Sequence, residues 1–388
     1  MGSTADTSRI TSFEANKPML INDNDCDISL PSPAEDRYIQ PQGYFRSHPN
    51  AAPFTGSLAV IQITRMYASL YQTLKSSMVS PQALQNFESQ FRSRAQQLPE
   101  TYQTTSTAAL ETAALPPLFA LLTAQFHLYR RNLSPICHVN ERREALRQCA
   151  TVAQETAKYI SRALHSPPKV ELEKSWPVRV APMASNLTCM HLWRCILVLC
   201  FRGDYDAALM CSHMLSVVGN MRQVGSGCGK NLVFVLDRLL DRIRNGHGSL
   251  PQLEYDEEML AYISADVQAS VEHGWAWAGT DLTSIQPAQP ASYGASRLPG
   301  QDQTMRDRPT SVSPAQEWEG WGKVDQLIRQ LMDENRPRSA QPPTYYPPPH
   351  NPVKRVQLGP NDQSPPKPAP LPSPAPSNAS RISIANII

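Results

Sequence analysis

The stretch Asn186-Leu-Thr-Cys-Met-His-Leu-Trp-Arg-Cys-Ile-Leu-Val-Leu-Cys-Phe201 is the most apolar run of the chain. Apolar residues at Leu187, Met190, Leu192, Trp193, Ile196, Leu197, Leu199 and Cys200 fill one helical face and much of the opposite one, the pattern of a helix buried on several sides. Its uncharged part, Cys195 to Phe201, falls far short of the roughly 20 residues that cross a bilayer. The run therefore predicts a core helix and no membrane span. Gly203-Asp204 breaks it, and a second apolar period follows through Ala207, Ala208, Met210, Cys211, Met214, Leu215 and Val218. The two runs read as a helical hairpin.

Other helices are needed to cover that hairpin, and the flanking sequence supplies them. Leu58 to Leu74 steps at helical intervals. Ser80-Pro81 is an N-cap with a first-turn proline, opening a helix that Pro99 stops. Leu118 to Asn132 follows Pro116-Pro117 and ends before Ser134-Pro135, and Asn140 to His165 is a long helix with Asn140 as its expected cap. Pro167 to Pro182 is a proline-punctuated crossing anchored by Trp176. Beyond the hairpin, Gly225-Ser-Gly-Cys-Gly229 reads as a flexible turn, Leu232 to Ile243 as an amphipathic helix closed by Asn245-Gly246, and Glu257 to His273 as a last helix. No strand-rich region stands out, so the fold class is all-α: an irregular multi-helix body.

The ends of the chain differ in composition. The expected organisation is an extended N-terminal segment over 1–56, a helical body over 57–280, a flexible linker over 281–316, an amphipathic docking helix over 317–335 and a disordered proline-rich tail over 336–388. The docking helix is read from Trp321, Val324, Leu327, Ile328 and Leu331. Many of the 36 prolines of this 388-residue chain lie in the tail, which cannot bury enough apolar surface to offset its ordering entropy. Met1 to Asn16 lacks the apolar segment of a signal peptide, so an intracellular protein is expected. A net charge of +2 points to no nucleic-acid surface, and the eight cysteines, mostly inside apolar helical patterns, imply no disulfide framework.

Each chemical motif has a plainer reading. Asp23, Asp25 and Asp27 imitate half a calcium loop, but Ile28 and Ala34 stand where it needs Gly and a bidentate Glu. Gly225 to Lys230 imitates a phosphate loop, but Val224 and Asn231 replace its first Gly and its Ser or Thr, and a helix precedes it where a strand is required. Cys189 with His191, and Cys211 with His213, are two residues apart and point to different sides of a helix, which disfavours zinc; core packing is expected for the cysteines and helix edges for the histidines. No nucleophile elbow and no recognisable Cys-His arrangement is present, so no catalytic, cofactor-binding or metal-ligating residue is assigned and the expectation is not an enzyme. Arg130-Arg131 and Arg142-Arg143 are short basic pairs at helix ends.

Taken together, Arg9-Ile-Thr-Ser-Phe13, Lys17-Pro-Met-Leu-Ile21 and Asp23-Asn-Asp-Cys-Asp-Ile-Ser-Leu-Pro31 resemble the central segment of the fungal-specific transcription factor domain, or middle homology region. Phe126-His-Leu-Tyr-Arg-Arg-Asn-Leu-Ser-Pro135 is similar to a stretch of that family's C-terminal half, as are His191-Leu-Trp-Arg-Cys195 through Leu209, Cys228 to Leu232, and Leu236 to Leu240. Trp318-Glu-Gly-Trp-Gly-Lys-Val324 is similar to a helix that often follows. The resemblance implies a regulatory domain in the nucleus that controls RNA polymerase II transcription, with coactivators or corepressors as partners and room for a small-molecule effector or a homodimer. It implies zinc and DNA binding only through an N-terminal six-cysteine cluster, and this sequence contains no Cys-x-x-Cys, so an N-terminally truncated regulator is expected. The alternative is a helical scaffold, or dominant-negative partner, of full-length zinc-cluster regulators; an α-helical enzyme ranks third.

Overall fold

The computed structural model describes residues 12, 39–40, 43–44, 56–166, 175–265, 274–275 and 320–336, all within the first of the chain's two units, Met1–Pro337. The expected linker over 281–316, nearly all of the N-terminal segment and of the tail, and the Asp23, Asp25 and Asp27 motif lie outside the described residues. What is described is all-α apart from one small ladder, β1 (Ile39–Gln40) antiparallel to β2 (Gly43–Tyr44).

The first helices start and stop where side chains satisfy their ends. α1 (Gly56–Leu74) is followed by α2 (Pro81–Gln97), whose cap Ser80 accepts the amide of Ala83. α3 (Leu115–Arg130) begins earlier than its prolines suggested: Pro116 and Pro117 lie inside its first turn, where a missing N–H costs nothing. α4 (Val139–Leu164) is capped by His138, not Asn140. Nδ1 of His138 accepts the Asn140 amide at 3.3 Å while Glu141 accepts the His138 amide at 3.0 Å, a capping box with histidine in the usual place of Ser or Thr. At the far end of α4, Arg179 donates to the carbonyls of Ala163, Leu164 and Ser166. Arg179 belongs to α5 (Trp176–Val180), the part of the proline-rich crossing that is described, and Trp176 is buried there as expected of an anchor.

α6 (Asn186–Arg202) is the predicted core helix, capped by Ser185 and ended by Gly203 at φ +77°, a left-handed position that glycine takes without strain. α7 (Tyr205–Gly219) completes the hairpin from its cap Asp204. Around α6 pack α4, α7 and α8 (Gln223–Arg244), with α3, the short α9 (Leu250–Leu253) and α10 (Glu257–Ser264) closing the rest. α10 is shorter than its sequence suggested. It stops at Ala265, which stands at φ +56°, and residues 266–273 are outside the described set. Last comes α11 (Trp321–Glu334), which packs across α7 and α8 and contributes Trp321, Val324, Leu327, Ile328 and Leu331 to the same core.

A further expectation is overturned. Gly225-Ser-Gly-Cys-Gly229 is not a flexible turn but the opening of α8, with Gly225 and Gly229 buried. The reason is a close approach: a Cβ on Gly225 would stand 2.1 Å from the carbonyl oxygen of Gly219 at the end of α7. Gly is a poor helix former, yet only Gly lets the two helix ends touch, and that contact outweighs propensity. No single described helix is long and apolar enough to cross a membrane; a pair bent by 110°, Trp176–Met183 with Asn186–Arg202, has the length and composition to do so together.

Candidate functional site

Two constellations separate themselves from ordinary packing, a polar cluster inside the core and a seat for α11 on its flank. The inner one starts at His191, which is completely buried on α6 and not at a helix edge as its sequence position implied. Thr156 on α4 spends its one hydroxyl proton on the Val152 carbonyl at 2.9 Å, so it accepts from His191 Nε2, also at 2.9 Å. That fixes the proton of a neutral His191 on Nε2. Cys195, one turn along α6, sets its Sγ 3.7 Å from both Thr156 Oγ1 and His191 Nε2.

A cysteine beside a histidine invites the thought of a nucleophile. The environment works against it. Complete burial pushes the Cys195 thiol up to about 12, with only partial relief from the Thr156 hydrogen bond and the charge of Arg194. A nucleophilic cysteine needs the reverse, a lowered thiol in reach of solvent. The same burial raises Cys149, Cys200 and Cys211, and no disulfide joins the seven described cysteines. The cluster instead orients helices: Thr156 ties α4 to α6, Arg194 Nη1 reaches His127 Nε2 on α3 at 3.2 Å, and Trp193 Nε1 donates to Asn231 Oδ1 on α8 at 2.9 Å. Asn231, which spoiled the phosphate-loop motif, is thus a buried acceptor for the core tryptophan.

The remaining motif residues fall apart in space. Cys189 is buried, and His213 is exposed and stacks on Trp176 with ring centroids 6.2 Å apart. Arg130 and Arg131 donate to the carbonyls of Ser264 and Ser76, and Arg143 pairs with Glu254 at 2.9 Å. These arginines tie segments together. Among the described residues, no group of three or more His, Cys, Asp or Glu is placed to hold a metal ion.

The outer constellation is where sequence reasoning expected a docking helix. Trp321 inserts against Gly219, whose missing side chain is essential: a Cβ there would stand 2.6 Å from the indole Cζ2. The indole N–H donates to Asn220 Oδ1 at 3.0 Å. Further along, buried Ser212 donates to Asp325 Oδ1 at 2.6 Å, and Arg244 pairs with Glu334 at 3.2 Å. At the far end the Asn335 side chain comes up to Gly203, with Nδ2 3.2 Å from where a Cβ would stand. Contacts from Gly219 to Trp321, Ser212 to Asp325 and Gly203 to Asn335 run α11 antiparallel to α7. Just beyond the slot, Pro177, Ser216, Val217 and Met221 join Gly320 and Trp321 in an open groove, with Met221 exposed. The sequence signal for this seat was the apolar period of α11; Gly219, at the end of α7, is found only from the contact it makes. No protein-family model, no curated protein and no solved structure matches this chain significantly.

Proposed function

We propose that this chain is the regulatory, middle homology region of a fungal zinc-cluster transcription factor, acting in the nucleus on RNA polymerase II transcription. DNA contact belongs in this reading to a six-cysteine cluster that the sequence does not contain. The observation that carries it is the order of the family-like stretches, from Arg9 through Phe126 to Pro135, His191 to Leu209, Cys228 to Leu240 and Trp318 to Val324. Its support in the fold is that the middle stretches coincide with the end of α3, the α6–α7 hairpin and α8, where a domain's core is built. An all-α body with a docked terminal helix suits a domain that restrains or exposes an activating surface.

The proline-rich residues after 337 are the activating or coactivator-binding segment in this reading. Fusing the chain to an unrelated DNA-binding domain and following a reporter gene tests it: reporter output changes with the whole chain and changes again when residues 337–388 are deleted. A fusion that leaves the reporter at the level of the DNA-binding domain alone removes the proposal. The chain by itself gives no shift in a mobility-shift titration. Capture of zinc-cluster proteins by the chain, without DNA, favours the scaffold alternative.

A further inference from the structure

The C-terminal end of α4 is finished by a side chain from the next element. Helix carbonyls at this end have no amide partners of their own, and Arg179 of α5 supplies donors. Its Nη1 reaches the carbonyl oxygens of Ser166 at 2.8 Å and Ala163 at 3.3 Å, and its Nη2 that of Leu164 at 2.9 Å. The guanidinium lies over the Trp176 ring, 5.3 Å from its centroid, and Trp176 in turn stacks on His213. Nε of Arg179 is buried and has no acceptor. The guanidinium is therefore fixed beside Ser166 with one donor in hand. The other arginine of this helix end, Arg162, is committed to the carbonyls of Thr101, Gln103 and Ala108.

Ser166 is half-buried, and its sequence context is particular. Ser166-Pro-Pro-Lys169 occurs a second time, residue for residue, as Ser364-Pro-Pro-Lys367, and no other Ser-Pro pair of the chain has Lys in the third place after the serine. Proline offers no N–H at the position after the serine, the feature by which proline-directed serine/threonine kinases select substrates, and a lysine three places on gives such an enzyme a charge to pair. We propose that Ser166 is a phosphorylation site for a proline-directed kinase and that Arg179 holds the phosphate. In the transfer the γ-phosphorus of ATP bonds to Ser166 Oγ as its bond to the bridging oxygen breaks; ADP leaves, and the hydroxyl proton passes to the kinase's base. The product carries three strong acceptor oxygens and about 1.5 to 2 negative charges at pH 7. At a helix C-terminus that charge is unfavourable unless a cation meets it. A hydrogen bond between two ions is also stronger than those Arg179 makes to carbonyls. Arg179 hence turns from the carbonyls that end α4 to the phosphate, with Nε available to complete a two-point contact. This inference does not rest on the transcriptional reading.

The test incubates the full chain with a cyclin-dependent kinase and ATP and maps phosphate by mass spectrometry. Ser364, set in the same four residues, shows in the same tube whether the enzyme acts on this sequence. Phosphate appears on both serines, and Ser166→Ala removes it from position 166 alone. Phosphate on Ser364 without any on Ser166 overturns the proposal, as does a chain left unmodified at both while a control substrate is phosphorylated. Phosphorus NMR then reads the contact. On the folded chain the phosphate of Ser166 titrates about one pH unit below that of a free phosphopeptide spanning residues 161–172, and Arg179→Met closes the gap. Coincident titrations of chain and peptide overturn the role of Arg179. Should Arg179→Met fail to fold, the Nε–H signal of Arg179 in the native chain decides: a move on phosphorylation supports the contact, and an unchanged signal overturns it.

Discussion

The indole of Trp321 and the bare Cα of Gly219 are in direct contact, leaving 2.6 Å between Cζ2 and the position of any Cβ. Gly219→Leu therefore drives Trp321 from its slot. Overpacking at a backbone contact costs about 1–3 kcal/mol, and urea unfolding monitored by circular dichroism reads it as a lower midpoint. Tryptophan emission shifts to the red in the native baseline as the indole meets water.

Gly322 gives the opposite outcome. It lies in the first turn of α11 with nothing within 4 Å of a Cβ. Gly322→Ala restricts the unfolded chain without a clash and raises stability by about 0.4–1 kcal/mol. The two glycines, close in space, thus separate by sign in the same denaturation assay.

Asn132 acts as a substitute for backbone. Its Nδ2 donates to the Val79 carbonyl at 2.9 Å and its Oδ1 accepts the Val79 amide at 2.8 Å, in a buried setting just ahead of the Ser80 cap of α2. Asn132→Ala leaves both backbone groups unmet and costs about 2–4 kcal/mol. Hydrogen exchange at the start of α2 accelerates more than exchange in α8, which locates the loss.

Stability falls on the alkaline side. Burial raises the Cys195 thiol to about 12 and the Cys189 thiol to about 11, from an ordinary value of 9.0, and lifts Cys211 well above it. Above pH 9 the unfolded chain releases these protons while the folded chain keeps them, so the folded state loses ground as pH rises. Each deeply buried thiol contributes a loss of about 1.4 kcal/mol by one pH unit above its unfolded value. The urea midpoint therefore drops between pH 8 and pH 10. A Cys195→Ala/Cys211→Ala chain shows a shallower drop, whatever its stability at pH 7.

What could be read from the sequence was what repeats at the helical period. α6, α7, α2 and α11 declare themselves through runs of apolar residues or a Ser-Pro cap, and the structure places them within a few residues of those signals. The misreadings fall where a contact or a backbone turn, and not the helical period, decides the local structure. His191 looks like a solvent-facing interruption until Thr156, on another helix, meets it with a hydrogen bond. Gly225 to Gly229 looks like a hinge until Gly219 comes against it. His138 is outside the usual set of caps, and only Glu141 three residues on completes the pattern. At Ala265 the chain turns left-handed without the glycine that would have announced the end of α10. The seat for Trp321 was half legible, because α11 carried its own apolar stripe while the slot that receives it is written in small residues.

The position of α6 also sets a schedule for biosynthesis. α3 and α4 leave the ribosome before it, but α7 and α8 follow, and the latter is complete only at Arg244. Through that interval a nascent chain carries the most apolar run of the protein with much of its covering still unmade, the kind of exposed surface on which chaperones act and aggregation begins. Truncation anywhere between Phe201 and Arg244 consequently yields a chain that needs clearing, while one ending soon after Arg244 already holds both helices that flank α6 on its C-terminal side.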